Sequence, residues 1–359
     1  MSETTTSHPE QKQSSWLTKL LQSRWAPILV VILPIILAML AIGGTGSFGV
    51  WLGAVATGLC LALVGVGVYI TFRILDFPDL TIDGTFPLGA AVAAVMLTAG
   101  YSPWLTLPAA LLGGALFGAV TAVIATKFKI HSLLASIIVA TGLISINLRI
   151  MGRSNIPLLN TETIFSPFAD SFKAFIVAQF GEDAARYANN LLIILIVGVI
   201  VIVCKLLFDW FTKTEMGMAM RATGDNRKMV KALGRNPDHF IILGVAISNA
   251  MVGLSGAMMA QYQGFADVNM GLGLIIAGLA AVIVGETIIR PKTVPRATLS
   301  AIIGMIIYRV AIAAALSLRF TLPSGETIRV EATDVKLATA LLVLIVLWLT
   351  NFRTKRGAG

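Results

Sequence analysis

The sequence predicts an all-α membrane protein, a polytopic helical bundle of about ten transmembrane helices with an inverted repeat whose third and eighth spans are short and broken. Three observations carry that expectation. Of the 359 residues, 57% are hydrophobic and 13% are charged, where a soluble domain carries ~25% charged residues. The apolar residues gather into ten stretches, at 26–44, 48–71, 86–100, 104–126, 133–151, 190–210, 239–262, 272–287, 297–317 and 335–351. Most approach the ~20 residues that a helix needs to cross a ~30 Å hydrocarbon core. The basic residues then fall on one side of the membrane if the chain threads back and forth. Backbone polar groups find no water in that layer, so continuous helices are expected, and the alternating pattern of a membrane barrel is missing.

The net charge is +9, and its distribution argues against a nucleic-acid face. With a cytoplasmic N-terminus and one crossing per span, nineteen of the 27 Lys and Arg residues lie on the cytoplasmic side, including Lys127, Lys129, Arg227, Lys228 and Arg290. Seven fall outside, and Arg309 sits within a span. Both termini are therefore expected in the cytoplasm. Residues 1–24, rich in Ser, Thr and Gln, read as a polar cytoplasmic tail, 25–352 as the membrane domain, and 353–359 as a short basic cytoplasmic tail. The 26–44 stretch reads as a retained span rather than a cleaved signal. Cys60 and Cys204 lie in predicted spans and read as packing residues, and His8, His131 and His239 have no ligand spacing. No metal or cofactor is expected. The phosphate-binding pattern Gly-x-x-x-x-Gly-Lys-Ser/Thr is missing, so the chain is not expected to hold ATP. Gly44-Thr45-Gly46-Ser47-Phe48-Gly49 matches a dinucleotide fingerprint by letter only, because it joins two membrane spans.

The two short spans resemble each other. Val64-Gly65-Val66-Gly67 precedes Gly84-Thr85-Phe86-Pro87-Leu88-Gly89, and Val252-Gly253-Leu254-Ser255-Gly256 precedes Gly273 to Gly278. Each copy has a Gly-bearing long helix, a polar break and a short span with two glycines five apart. They start at the second and seventh spans, so they cross in opposite directions, as in proteins that place a solute path between inverted halves. The first break, Asp76-Phe77-Pro78-Asp79-Leu80-Thr81-Ile82-Asp83, cannot sit in a lipid-facing helix. Pro87 removes a backbone donor and Pro78 restricts Phe77. Irregular backbone at membrane depth survives only when buried in protein or lining a wet cavity. Asp83, Thr85 and Phe86 are therefore expected to face such a cavity. Asp76 and Asp79 read as acids of a cytoplasmic loop that meet water.

Polar residues inside spans usually face the bundle interior. They are Asn147 and Arg149 in the fifth span, Asn249 and Gln261 in the seventh, Gln263 just beyond it, Glu286 ending the eighth and Arg309 in the ninth. Asn147, Asn249, Gln261 and Gln263 join the candidate path, although Asn249 reads equally as a bridge between helices. Gly114 to Gly118 reads as a helix-packing motif. The long outer connection at 152–189 holds an amphipathic stretch near 170–186, with Phe172, Phe175, Ile176 and Phe180 on one side, suited to a membrane surface or to a cap over the bundle.

The segment 212–238 is the most informative part outside the spans. Asp225 can cap a short helix, Gly234 suits a left-handed stop and Pro237 follows as a breaker. Met229, Val230 and Leu233 share one face of that helix, as docking to a protein or to anionic lipid would require. The runs Gly217 to Asn226 and Leu233-Gly234-Arg235-Asn236-Pro237 resemble the coupling loop of permeases in the branched-chain amino acid and ribose-type ABC importer superfamily. Leu80 to Phe86 and Ala260 to Asp267 resemble its branch assigned to tryptophan, tyrosine or other amino acids. The resemblance spans most of 48–350. It implies an inner-membrane permease homodimer, an ATP-binding subunit on the cytoplasmic side, and a solute-binding protein facing a periplasmic loop at 152–189. It further implies that 221–236 enters a groove of the ATPase, through Arg221, Thr223, Asp225, Asn226, Met229, Leu233 and Asn236. The alternative is an ion-coupled secondary transporter or channel using Asp83, Glu286 or Arg309 as coupling charges. A membrane scaffold without transport is a third, weaker reading, opposed by the broken spans.

Overall fold

The computed structural model describes residues 46–317, 319–321, 327–329 and 344. The expected spans 26–44 and 335–351 (Leu344 apart) and both expected tails lie outside the described residues. The chain begins with α1 (Gly46–Cys60) and α2 (Ala62–Tyr69), one span interrupted at Leu61 and ending in a π-helical turn at Ile70–Ile74. There follow α3 (Ile82–Thr98), α4 (Pro103–Lys127) and α5 (Ser132–Met151). A short strand β1 (Asn155–Pro157) and helix α6 (Ser166–Phe180) lead to α7 (Ala185–Phe211). Two short helices, α8 (Glu215–Asp225) and α9 (Arg227–Ala232), connect to α10 (Pro237–Gln263). The chain continues through β2 (Phe265–Asp267), α11 (Leu274–Ile289) and α12 (Val294–Ser317), and a two-stranded ribbon pairs 319–321 with 327–329.

Among the described residues, six helical segments are long and apolar enough to cross a membrane, while α3 and α11 are apolar but shorter. All eight correspond to predicted spans. The expected third span starts four residues earlier than read, at Ile82, so that Asp83, Gly84 and Thr85 belong to the helix. Pro87 does not block that start. The Asp83 carbonyl that its missing N–H would have bonded lies against Gly271, where a Cβ would collide with it.

Helix α10 forms the axis of the bundle, packing on α4, α3 and α2. Small residues make this possible. A Cβ on Gly89 would land on the Gly253 carbonyl, and one on Gly114 on the Asn249 carbonyl. Gly118 lies equally close to Val245 and Asn249. Helix backbones approach this closely where at least one of them carries no side chain at the crossing. The motif read as Gly114 to Gly118 is thus the α4 face of the α4–α10 contact.

The connection after α5 folds back over one end of the bundle. There β1 pairs antiparallel with β2, in the register Ile156 to Ala266. Helix α6 lies against α7, burying Ile176 and leaving Phe168, Phe175 and Phe180 exposed. It starts four residues before the expected stretch and stops at Gly181, whose φ of +84° ends the helix. The exposed faces differ in character. That of α7 is apolar, with Leu195, Val199, Ile202, Leu206 and Trp210, while that of α5 mixes Ile137 and Ile144 with Thr141, Ser145 and Arg149.

Gly89→Ala and Gly114→Ala should each destabilise the fold by about 1–3 kcal/mol, since the new methyl group meets backbone that cannot swing aside. Gly142→Ala, whose Cβ meets nothing within 4 Å, should be neutral or stabilising by up to ~1 kcal/mol. Thermal unfolding of the three purified variants checks the contrast.

Candidate functional site

The break between α2 and α3 begins in the π-helical turn. There Leu75 N–H bonds to the Ile70 carbonyl (3.1 Å) and the Thr71 hydroxyl leans on Gly67 and Val68 (3.3 Å each). Turns of this kind often mark functional positions. Asp76 follows in the left-handed region (φ 48°), and the chain then runs without regular structure to Leu80.

Asp79, read from the sequence as a loop acid that meets water, is fully buried. One carboxylate oxygen accepts from Thr81 N–H (2.9 Å) and the other from the Asn249 amide (2.7 Å). The Thr81 hydroxyl meets that of Thr121 on α4 at 2.8 Å. Asn249 lies near the middle of α10, so the break reaches mid-height of the bundle before α3 starts. The correction has a physical cause: a carboxylate can leave water where enough donors converge on it, and Asn249, distant in sequence, supplies the one that the loop cannot.

Asp83, in the first turn of α3, accepts from Gly273 N–H (3.1 Å) and Ile275 N–H (2.9 Å). Those are orphan donors of the α11 N-terminus, and an acid placed there also meets the positive end of the helix dipole. The two short helices therefore begin against each other. Beside this junction a cavity of about 200 Å³ opens between Leu80, Asp83 and Gly84, the 268–272 segment and the Ile137–Ile144 face of α5. Asp83, Thr141 and Asn269 are its polar side chains, in an otherwise apolar wall.

The other expected path residues hold this arrangement and do not line the cavity. Asn147 is buried and donates to the Gly84 carbonyl (3.1 Å). Thr85 and Phe86 are buried, and the Thr85 hydroxyl has no partner. Asn249 is the bridge that the alternative reading describes. Gln261 accepts from Ile164 N–H (2.9 Å) and donates to the Thr106 hydroxyl (3.0 Å), fastening the 158–166 connection to α4. Gln263 is exposed. Of the charges named for an ion-coupled cycle, Glu286 pairs with Arg73 and Asp83 is bonded to backbone. The side chain of Arg309 meets no acid among the described residues, and its Nε is buried without a hydrogen bond. The sequence reading missed Asp79 and also Asp209, which is buried at the end of α7, pairs with Lys205 and accepts from the Thr298 hydroxyl (2.8 Å). The i, i+4 spacing of Lys205 and Asp209 in an apolar run was the available signal.

At the end of the bundle that carries α8 and α9, a Cβ on Gly224 of α8 would strike the Ile74 carbonyl, and Gly244 of α10 sits against Leu75 and Met220. Asn226, and not Asp225, caps α9, accepting from Met229 N–H (3.1 Å). Asp225 closes α8 instead. Gly234 takes the expected left-handed stop (φ 77°). Pro237 opens α10 at its first position, where a missing N–H costs nothing, and Asn236 accepts from Asp238 N–H (3.0 Å). The expected shared face of α9 is divided. Val230 is buried, whereas Met229 and Leu233 are 47% and 73% exposed. Arg221, Asp225, Asn226 and Asn236 are exposed as well, but Thr223 is buried with its hydroxyl on the Ala219 carbonyl (2.8 Å). Thr223 therefore packs α8 and offers no contact to a partner.

Residues 50–347 match the profile of the family described as branched-chain amino acid transport system / permease component. The chain belongs to this family. It is an integral membrane permease of the ABC importer class. A tyrosine transport system permease protein of Clostridioides difficile is 39% identical over 80% of this chain and 87% of its own length. The ribose import permease protein of Haemophilus influenzae is 24% identical over 63% of this chain and 65% of its own length. A metal-chelate type ABC transporter in an inward-facing conformation covers 94% of the permease and 99% of that chain at 15% identity, with a TM-score of 0.45.

In the permease, Asn249→Ala should cost about 1–3 kcal/mol of stability, because Asp79 loses its only donor from another helix while remaining buried. Gln263→Ala, at an exposed position, should stay within ~0.5 kcal/mol of the wild type. Thermal unfolding in the same detergent or nanodisc compares the two.

Proposed function

We propose that the permease is the membrane subunit of an ATP-driven importer in the inner membrane, moving a small amino-acid solute that a periplasmic binding protein delivers. Ten spans with both termini in the cytoplasm would place α8 and α9 on the cytoplasmic side, where the basic residues concentrate. The meeting of α3 and α11 at their N-termini is what an inverted repeat would produce, with the solute path beside the junction. Asp83, with Thr141 and Asn269, would face the solute. Thr85, Phe86, Asn147, Asn249 and Gln261 would shape the wall behind it, and the exposed Gln263 would sit at the outer mouth. A second copy of the permease would cover the mixed polar and apolar face of α5, while the purely apolar face of α7 would meet lipid. The relative named for tyrosine transport supports an amino-acid solute.

The observation that carries the reading is α9. A six-residue helix held to the bundle by Val230, with Met229 and Leu233 bare and charged residues around them, is a projection shaped for a protein groove. ATP would be bound and hydrolysed on that partner, since the permease has no phosphate-binding loop. Movement of α8 and α9 would switch the cavity between outward and inward states of different solute affinity, without which no ligand or nucleotide can bias the equilibrium.

Two experiments test this. In vesicles holding the permease, its ATPase and its binding protein, Arg221→Ala with Asp225→Ala should abolish uptake. Uptake that persists without the ATPase sinks the proposal. Met229→Asp with Leu233→Asp should leave the thermal stability of the permease within ~0.5 kcal/mol of the wild type, because both side chains are exposed. The same pair should end co-purification with the ATPase.

A further inference from the structure

A second cavity, of about 480 Å³, lies at the α8–α9 end of the bundle, away from the Asp83 junction. Its charged lining comes from four separate places: Asp76 after the π-helical turn, Lys129 between α4 and α5, Arg227 at the start of α9, and Asp238 in the first turn of α10. Two carboxylates and two cations surround one space, yet no ion pair joins any two of them. Asp76 and Lys129 both occupy the left-handed region, at φ 48° and 56°, a conformation uncommon for residues other than glycine and persistent only where the surroundings enforce it. His131, also in the wall, accepts from Leu133 N–H through Nδ1 (3.3 Å).

We propose that this cavity binds a zwitterionic amino acid. Lys129 and Arg227 would take its carboxylate, and Asp76 and Asp238 its ammonium group. The volume suits a small molecule. The balance of charge selects the class, because a phosphate or a carboxylic acid would leave both aspartates facing an anion, and an amine would leave both cations unpaired. Occupancy has a mechanical consequence. The ligand ties the first residue of α9 to the segment that leads into Asp79 and Asp83, and so holds the coupling helix in one position relative to the path. On the reading that α8 and α9 couple to an ATPase, an amino acid accumulated on the release side slows the importer.

The test uses the permease alone and the assembled complex, both in nanodiscs, with a mixture of the twenty protein amino acids as probe. The mixture should raise the unfolding temperature of the permease and slow ATP turnover by the complex about fivefold or more, within the usual range of coupling between sites. Lys129→Gln with Asp238→Asn should keep the uptake and ATP turnover seen without the mixture, and lose both the thermal shift and the slowing. Propylamine or sodium propionate should do neither. The inference is overturned if the double variant responds like the wild type, if inorganic phosphate acts as well as the mixture, or if the mixture leaves the wild-type permease unshifted. Failure of the importer reading would look different, as missing uptake in the wild-type complex while the thermal shift of the isolated permease still depends on Lys129 and Asp238. Should the double variant fail to fold, Lys129→Gln alone, at an exposed position between α4 and α5, carries the same comparison.

Discussion

A peptide group without a hydrogen-bond partner is expensive in hydrocarbon, and the permease interrupts its helices twice at places where that expense falls due. The Asp83 carboxylate meets much of it. By accepting from Gly273 and Ile275, it satisfies the start of α11 from the start of α3, so each break is finished by the element that follows the other. Asp79 does the same one turn earlier for Thr81 N–H, with Asn249 completing its shell. Remove these acceptors and the two short helices have no reason to begin inside the bundle. The glycine contacts of α10 with α3 and α4 then explain why the breaks can lie so close to the axis.

Four acids among the described residues, Asp79, Asp83, Asp209 and Glu286, divide by position. Asp79 and Asp83, at the junction, are stabilised by N–H groups and an amide, with no cation in hydrogen-bonding contact. Asp209 and Glu286, toward the end that carries α8, are each paired with a base. The difference matters for a passage. An ion pair between neighbouring helices spends both charges on each other, whereas a carboxylate held by backbone dipoles keeps its field available on its open side. Asp83 keeps such a side, toward the cavity that also shows Thr141 and Asn269. A mid-bundle cation at Asp83 would have closed it.

Periodicity and hydropathy made the eight described spans legible, along with the shortness of the third and eighth and the left-handed stop at Gly234. Those features are local, set by a few neighbours along the chain. What the sequence concealed was non-local. Asp79 sits between prolines and acids that look like any surface loop, and its burial depends on Asn249, 170 positions away. Asn147, Asn249 and Gln261 were recognisable as inward-facing, but whether an inward amide lines a passage or braces one is decided by its partner, and the partners are the Gly84 carbonyl, Asp79 and Ile164 N–H. Asp225 and Asn226 are both good capping residues, and only the φ and ψ of Asn226 decide between them. Thr223 was placed among the coupling residues because the run from Gly217 to Asn226 resembles a coupling loop. The helical turn puts it on the face opposite Arg221 and Asp225.

That same turn connects the two ends of the mechanism. Gly224, adjacent to Thr223, lies so near the Ile74 carbonyl that no side chain fits between them, and Gly244 leaves room for Leu75 and Met220 on the other side. Helix α8 is therefore seated directly on the last residues of the π-helical turn. Nine positions beyond Ile74 is Asp83. The intervening segment has no helical hydrogen bonds to absorb a displacement until Thr81, and its side chains Leu75, Phe77 and Asp79 are buried. A push on α8 from outside the bundle has little to compress, since packed interiors yield poorly. It would be passed to the segment, and from there to the Asp83 contact between α3 and α11. On the proposed coupling through α8, the natural place for a change of state would be the Asp83 junction, reached through the close contacts of Gly224 and Gly244, which the sequence did not single out.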